Sequence, residues 1–218
     1  MSDQLLAAII VVAIMLLVGF PVHEFSHALA AYRLGDSTAR FMGRLTLNPI
    51  AHFDPLGGIL LAVTMLSGSG FAFGWAKPTP VNPRNLEYGR WGEAIVAAAG
   101  PISNLVLAIV AAIPLRYILA NLTLASEVPL LALQILLLFI QINLVLMVFN
   151  LFPIPPLDGS KVLFAFLPPQ VAWRWRPMLE QYGFILLLIV FFLPPGDSVG
   201  ARIVIPIIDA FLSFLVGR

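Results

Sequence analysis

The chain has 218 residues, of which 60% are hydrophobic and only 11% charged, and its mean hydropathy of +0.98 places it among polytopic membrane proteins and excludes a soluble domain. Twelve basic residues against eleven acidic ones leave a net charge of +1, so there is no basic field for nucleic acid, and charge informs topology instead. Cysteine is absent, which removes disulfides and thiolate metal sites and leaves any metal to the three histidines and the carboxylates.

The first element is expected over residues 4–33, uncharged as far as residue 22. Its Met-Ser-Asp-Gln start carries no positive region, and no small-residue cleavage site precedes the histidines, so residues 5–22 read as a retained span and not a signal peptide. Near the end of this span His23, Glu24 and His27 spell H-E-x-x-H. A helix turns about 100° per residue, so histidines four apart share one face and can share one metal ion. Glu24 projects from nearly the same face and can take a proton from an attacking water and later return it to a leaving amine, as the general base of a metalloprotease does. Three ionisable side chains inside an apolar span each cost several kcal/mol in lipid, which makes them a functional site by default.

Beyond the first span, residues 38–48 show enough alternation and β-branching to predict a short strand whose edge could pair with an extended substrate, a plain connecting hairpin being the equal alternative. Residues 55–76 are apolar but interrupted by Gly57, Gly58, Gly68, Gly70 and Gly74. Glycines at membrane depth suggest a re-entrant element lining a cavity. Positive-inside counting agrees, because Arg33, Arg40 and Arg44 lie on one side of that segment and Lys77, Arg84 and Arg90 on the other. With a dip there, a second helix at about 92–118 and a third at about 128–152 alternate across the bilayer, and the histidines fall in the cytoplasmic half of the first. Two weaker apolar segments, 182–195 and 203–217, would form a C-terminal pair turning at Pro194, Pro195 and Gly196. Asp209 in the last segment reads as an interface position near the membrane surface. Trp75, Trp91, Trp173 and Trp175 flank cytoplasmic ends as interfacial anchors. The expected fold is thus an all-α polytopic membrane protein of one domain spanning 1–218, with a core at about 4–165, a re-entrant or short β element, and one or two further membrane helices at about 182–217.

Two histidines rarely hold a catalytic zinc alone, and Asp158 is the natural third ligand. It follows the third helix in the run Asn150-Leu-Phe-Pro-Ile-Pro-Pro-Leu-Asp158-Gly159, where three prolines stop the helix and Gly159 lets the chain turn back; Asp-Gly is also a routine turn dipeptide. The H-E-x-x-H pair in a first helix followed by this run resembles the site-2 protease family of intramembrane zinc metalloproteases, in a short form. Gly100-Pro-Ile-Ser-Asn104 is similar to that family's G-x-x-x-N element, and Asn48-Pro-Ile-Ala-His52-Phe-Asp-Pro55 resembles the segment after the first helix in its short members. The resemblance covers about residues 15–165. It implies a three-helix catalytic core, one zinc ion per chain on His23, His27 and Asp158, Glu24 as base, and Asn150 contacting the scissile peptide or its developing oxyanion. It also implies a multi-pass plasma-membrane enzyme cutting membrane-protein substrates in or near their transmembrane segments, with its active site toward the cytoplasm. No PDZ insertion or CBS pair is expected, so substrate selection would rest on the membrane core or on a separate regulatory membrane partner. Asn104 reads either as a substrate or pocket residue or as a plain helix-to-helix hydrogen bond. His52 reads as a loop residue, an outer donor or a transient ligand, with a non-ligand role preferred. The competing readings are a membrane metal-ion transporter, which explains the ligands but not Glu24, and a non-proteolytic metal-binding membrane protein.

Overall fold

The computed structural model describes residues 3–66, 73–121, 128–194 and 198–217. Its helices are α1 (Asp3–Ile14), α2 (Phe20–Arg33), α3 (Thr38–Phe41), α4 (Pro49–His52), α5 (Pro55–Leu66), α6 (Arg90–Ala120), α7 (Leu130–Asn150), α8 (Asp158–Phe166), α9 (Pro169–Phe192) and α10 (Val199–Val216). Among the described residues, five stretches are long and apolar enough to cross a bilayer: Ile9–Arg33, Arg90–Ala120, Leu130–Asn150, Pro169–Phe192 and Val199–Val216. The protein is therefore an all-α, multi-pass membrane protein.

α1 and α2 form one rod joined by a π-helical segment, Met15–Gly19. Pro21 follows at once, and a proline there can neither donate a hydrogen bond to the preceding turn nor fit its ring against the carbonyl four residues back. The wider π turn absorbs that mismatch and hands the chain to α2 without ending the helix. Gly19 completes the joint, since a Cβ there would lie 2.9 Å from Leu146 on α7.

α6 is the central helix, packed against α2, α7 and α8. Its buried face is built from small residues, Gly92, Ala94, Ala97, Gly100, Ala108, Ala111 and Ala112 among them. Lipid tails are as apolar as leucine, so helices in a membrane gain contact chiefly by bringing backbones close, and small side chains permit that. Ile140, Leu144, Met147 and Val148 of α7 and Val204, Leu215 and Val216 of α10 fill the space opposite.

The segment expected as a strand at 38–48 is not one, and no strand occurs among the described residues. Asp36 decides this locally: its Oδ1 accepts from the Thr38 N–H at 3.1 Å and the Thr38 hydroxyl at 2.5 Å, which starts the helical turn α3. Gly43, at φ +68°, then turns the chain away. A short-range side-chain bond to the backbone thus outcompetes the weak alternation.

The glycine-rich region is helix out and extended chain back. α5 has 12 residues, about 18 Å at the helical rise and short of the roughly 30 Å hydrocarbon core. Returning residues run beside it, with Phe73 N–H donating to Thr64 Oγ1 at 3.0 Å. A Cβ on Gly57 would lie 2.1 Å from the Trp75 carbonyl, and one on Gly74 would lie 2.6 Å from the Gly57 carbonyl. Gly68 and Gly70 lie outside the described residues. This side-by-side course is the arrangement expected of a re-entrant element.

At the C-terminal end α9 is longer than the predicted 182–195, beginning at Pro169 and carrying Arg174, Arg176 and Glu180 in its first half. The charges that shorten the apolar run are accommodated because Arg176 pairs with Glu93 on α6 at 2.5 and 2.9 Å and with Glu180 at 2.7 Å. Of the expected turn, Pro195 and Gly196 lie outside the described residues. Asp209 sits midway along α10, not near its end.

Candidate metal centre

His23 and His27 stand one turn apart on α2, and Asp158 is the first residue of α8. The three are buried, at 6%, 7% and 7% exposure. Gly159 brings α8 to the site: a Cβ there would lie 2.0 Å from the Leu151 carbonyl, so only glycine lets the chain pack this tightly against the end of α7. Asp158 Oδ2 lies 3.2 Å from His23 Nε2 and 3.1 Å from His27 Nε2, and the two Nε2 atoms are 3.0 Å apart. Among the described residues these three form the one group of at least three such side chains close enough to hold a metal ion.

Hydrogen bonds behind the rings fix which nitrogens face the centre. Asn143 Nδ2 donates to the Phe139 carbonyl at 2.8 Å, Asn104 Nδ2 donates to Asn143 Oδ1 at 3.0 Å, and Asn104 Oδ1 accepts from His23 Nδ1 at 2.7 Å. The relay ends on a backbone carbonyl, which can only accept, so its polarity is set along its whole length. His27 Nδ1 donates to the Val96 carbonyl at 2.7 Å. Both Nδ1 atoms therefore hold the proton, and both Nε2 atoms present lone pairs toward the Asp158 oxygen. Three lone-pair atoms this close in a buried site repel one another unless a cation lies among them. Tetrahedral bonds of about 2.0–2.1 Å separate neighbouring ligand atoms by about 3.3 Å, close to what is found here, so the donor set fits a zinc-sized ion.

α6 forms the back wall. A Cβ on Gly100 would lie 2.4 Å from His27 Nε2 and 2.6 Å from His23 Nε2. Lys161 Nζ stands 3.7 Å from Asp158 Oδ1, so it faces the oxygen turned away from the histidines. Glu24 points from α2 to the returning chain, where its Oε2 accepts from the Thr79 N–H at 2.7 Å and its backbone carbonyl accepts from the Thr79 hydroxyl at 3.0 Å. Thr79, Val96, Ala97 and Lys161 also line a cavity of about 140 Å³ beside the metal ligands.

The structure brings together His23, His27, Asp158 and Asn104. Asn150 turns onto its own helix, with Nδ2 donating to the Leu146 carbonyl at 2.9 Å. His52 is buried at 2% exposure but stands apart, its Nε2 donating to the Thr46 carbonyl at 2.7 Å. Sequence reasoning gave no site role to Asn143, Gly100, Lys161 or Thr79. The one signal for Thr79 is its isolation between Pro78 and Pro80, which leaves a single amide in that stretch.

Comparison with known proteins gives a consistent result. The profile of Peptidase family M50 matches residues 10–131 and 123–192. A Bacillus subtilis protein named Putative zinc metalloprotease YwhC is 43% identical over 192 residues, which are 85% of this chain and 82% of that protein. Proteins named Putative zinc metalloprotease Rip2 are 33% identical over 183 residues in Mycolicibacterium smegmatis and 32% identical over 180 residues in Mycobacterium tuberculosis. These matches cover 79% and 82% of this chain but only 63% and 65% of those relatives, a little under two thirds of their length. No solved structure matches the chain.

Proposed function

The chain belongs to peptidase family M50, and from that premise we propose that it is a zinc metalloendopeptidase that cuts membrane-protein substrates within or beside their transmembrane segments. The observation that carries this reading is the convergence of His23 Nε2, His27 Nε2 and Asp158 Oδ2 at 3.0–3.2 Å with Glu24 next to the first ligand. When bound there, zinc supplies a Lewis acid that polarises the scissile carbonyl and makes an attacking water easier to deprotonate.

The protein's own groups do the rest. His23, His27 and Asp158 hold the ion, and the Asn104–Asn143 relay and the Val96 carbonyl keep both rings in the ligating tautomer. Glu24 takes a proton from the attacking water and delivers it to the departing amine nitrogen, so that one carboxylate serves as base and then acid. Asn150 reaches the scissile peptide or its oxyanion once it leaves the Leu146 carbonyl, as the resemblance implies. His52, held on Thr46, belongs to the surrounding scaffold. The basic residues Arg33, Arg90 and Lys161 stand at the ligand-bearing end of the α1–α2 rod, at the start of α6 and in the first turn of α8, which supports an active site toward the cytoplasm of a plasma-membrane protein. Ion transport calls for successive sites along a path. The single three-donor group among the described residues favours hydrolysis.

Zinc content of the detergent-purified protein tests the reading without a substrate. Wild type should hold about one zinc per chain and Asp158→Ala markedly less. Glu24→Gln should keep the metal and lose proteolysis. Full zinc occupancy in Asp158→Ala would overturn the ligand set.

A further inference from the structure

We propose that Thr79 is the positioning residue for Glu24: its amide and hydroxyl clamp the residue at two points, and the chain that carries it is built to keep that amide in place. The proposal rests on the reading of Glu24 as the general base, and it assigns a reason for the fixed extended chain over the catalytic helix.

A glutamate has three rotatable side-chain bonds, and fixing it costs rotamer entropy that some partner must offset. The Thr79 N–H offsets it with a charge-assisted bond of 2.7 Å to Oε2. That leaves Oε1 with no hydrogen bond among the described residues, free to meet a water. The Thr79 hydroxyl donates to the Glu24 carbonyl at 3.0 Å, tying residue 79 to the backbone of the residue whose side chain it holds. Pro78 and Pro80 have no N–H, so no neighbouring amide can replace Thr79 after a register slip, and their fixed φ angles stiffen the chain on both sides.

The anchors of this chain extend far beyond Thr79. Upstream, Lys77 N–H donates to the His52 carbonyl at 2.9 Å, and the His52 ring is itself tied to Thr46. Downstream, Asn82 N–H and Asn85 Nδ2 reach the buried Asp36 carboxylate at 2.7 and 3.0 Å, and Glu87 N–H reaches the Leu34 carbonyl at 2.8 Å. Residues 77–87 are thus tied upstream to the end of α4 and downstream to the turn after α2, and clamped in the middle at Glu24. This also accounts for two buried residues outside the metal site: His52 holds one end of the chain and Asp36 the other.

Amide exchange by NMR on the full-length, ¹⁵N-threonine-labelled protein in detergent tests the clamp without any substrate. In wild type the Thr79 amide should exchange at least about tenfold more slowly than in Glu24→Ala, because the carboxylate is its partner. Equal rates would overturn the proposal. Kinetics supply the second arm, with fluorescein-labelled casein as an unstructured probe. Thr79→Val should lower kcat about tenfold with KM and zinc content unchanged, and Thr79→Ser, which keeps the hydroxyl, should restore it to within about twofold. Wild-type kcat in Thr79→Val would overturn the clamp as a catalytic device. If wild type and Glu24→Gln treat the probe alike, the proteolytic reading is what fails, and the exchange measurement still decides the clamp.

Discussion

At the scale of single residues, the metal centre is a set of short-range demands met by long-range partners. Gly100 has little tolerance, because a side chain there would press on the two Nε2 atoms at 2.4 and 2.6 Å. Gly100→Ala should therefore abolish zinc retention while leaving the helix intact, since alanine is the better helix former; metal analysis beside a far-ultraviolet circular dichroism spectrum checks both halves. Asn104→Leu removes the acceptor for His23 Nδ1 and leaves that ring free to change tautomer. Zinc affinity should fall about 10–100-fold, the usual cost of losing such a partner, read by chelator competition. The contrast between these residues and the H-E-x-x-H motif explains what could be read in advance. His23, Glu24 and His27 lie within one helical turn, so their shared face follows from the helix alone. Asn104, Val96, Thr79 and Asp158 contribute to the same site from 81, 69, 55 and 135 positions away. Asp158 was singled out by its place after the third helix and the prolines before it, and Asn104 through motif resemblance; Thr79 and the Val96 carbonyl have no motif and needed the fold.

At the scale of elements, the Asp36 turn carries more than its sequence suggests. The carboxylate is fully buried and accepts from Thr38, Asn82 and Asn85. Burial pushes its pKa up, but these donors outweigh burial and hold the carboxyl below the usual aspartate range. A depressed folded pKa means that the stabilisation is present above the unfolded value of about 3.9 and is lost as pH falls through the lower folded value. Asp36→Ala should thus cost about 2 kcal/mol or more near neutral pH, by leaving buried donors unpaired. The melting-temperature gap between it and wild type should be flat from about pH 5 to 8 and close below about pH 4. A gap that persists unchanged at pH 3 would mean the carboxylate charge is not the stabilising feature. The same turn is where sequence reading erred: alternation over 38–48 counts side chains only, whereas the outcome was set by one carboxylate bonding the backbone two residues on. The close packing in the glycine-rich region, by contrast, was legible because glycine spacing reports close backbone approach directly, as Gly57 and Gly74 show.

At the scale of the whole molecule, hydropathy marked an apolar stretch in each of the five span-length helices among the described residues, while leaving the C-terminal spans at one or two. It fell furthest short at the start of α9, where Arg174, Arg176 and Glu180 hid about a dozen further helical residues. One of those charges, Arg176, joins α9 to the catalytic core. Arg176 binds Glu93 with two bonds and lies over the Phe164 ring at 5.5 Å, so α6, α8 and α9 meet at one guanidinium. Glu93 is far more enclosed than its partner, with side-chain exposures of 12% and 34%. Removing the arginine should therefore hurt chiefly by leaving Glu93 unpaired in a sparsely hydrated place. Arg176→Met keeps much of the apolar stem and is expected to destabilise by about 1–3 kcal/mol, a range discounted for the partial exposure of the pair. Adding Glu93→Gln should recover part of that loss, because a neutral amide tolerates the site better than an orphaned carboxylate. Zinc content should stay the same in both variants, since neither residue touches His23, His27 or Asp158. Thermal melts in detergent and metal analysis on the same preparations read out both effects. No recovery in the double variant would place the value of Arg176 in its packing on Phe164 instead of in its charge.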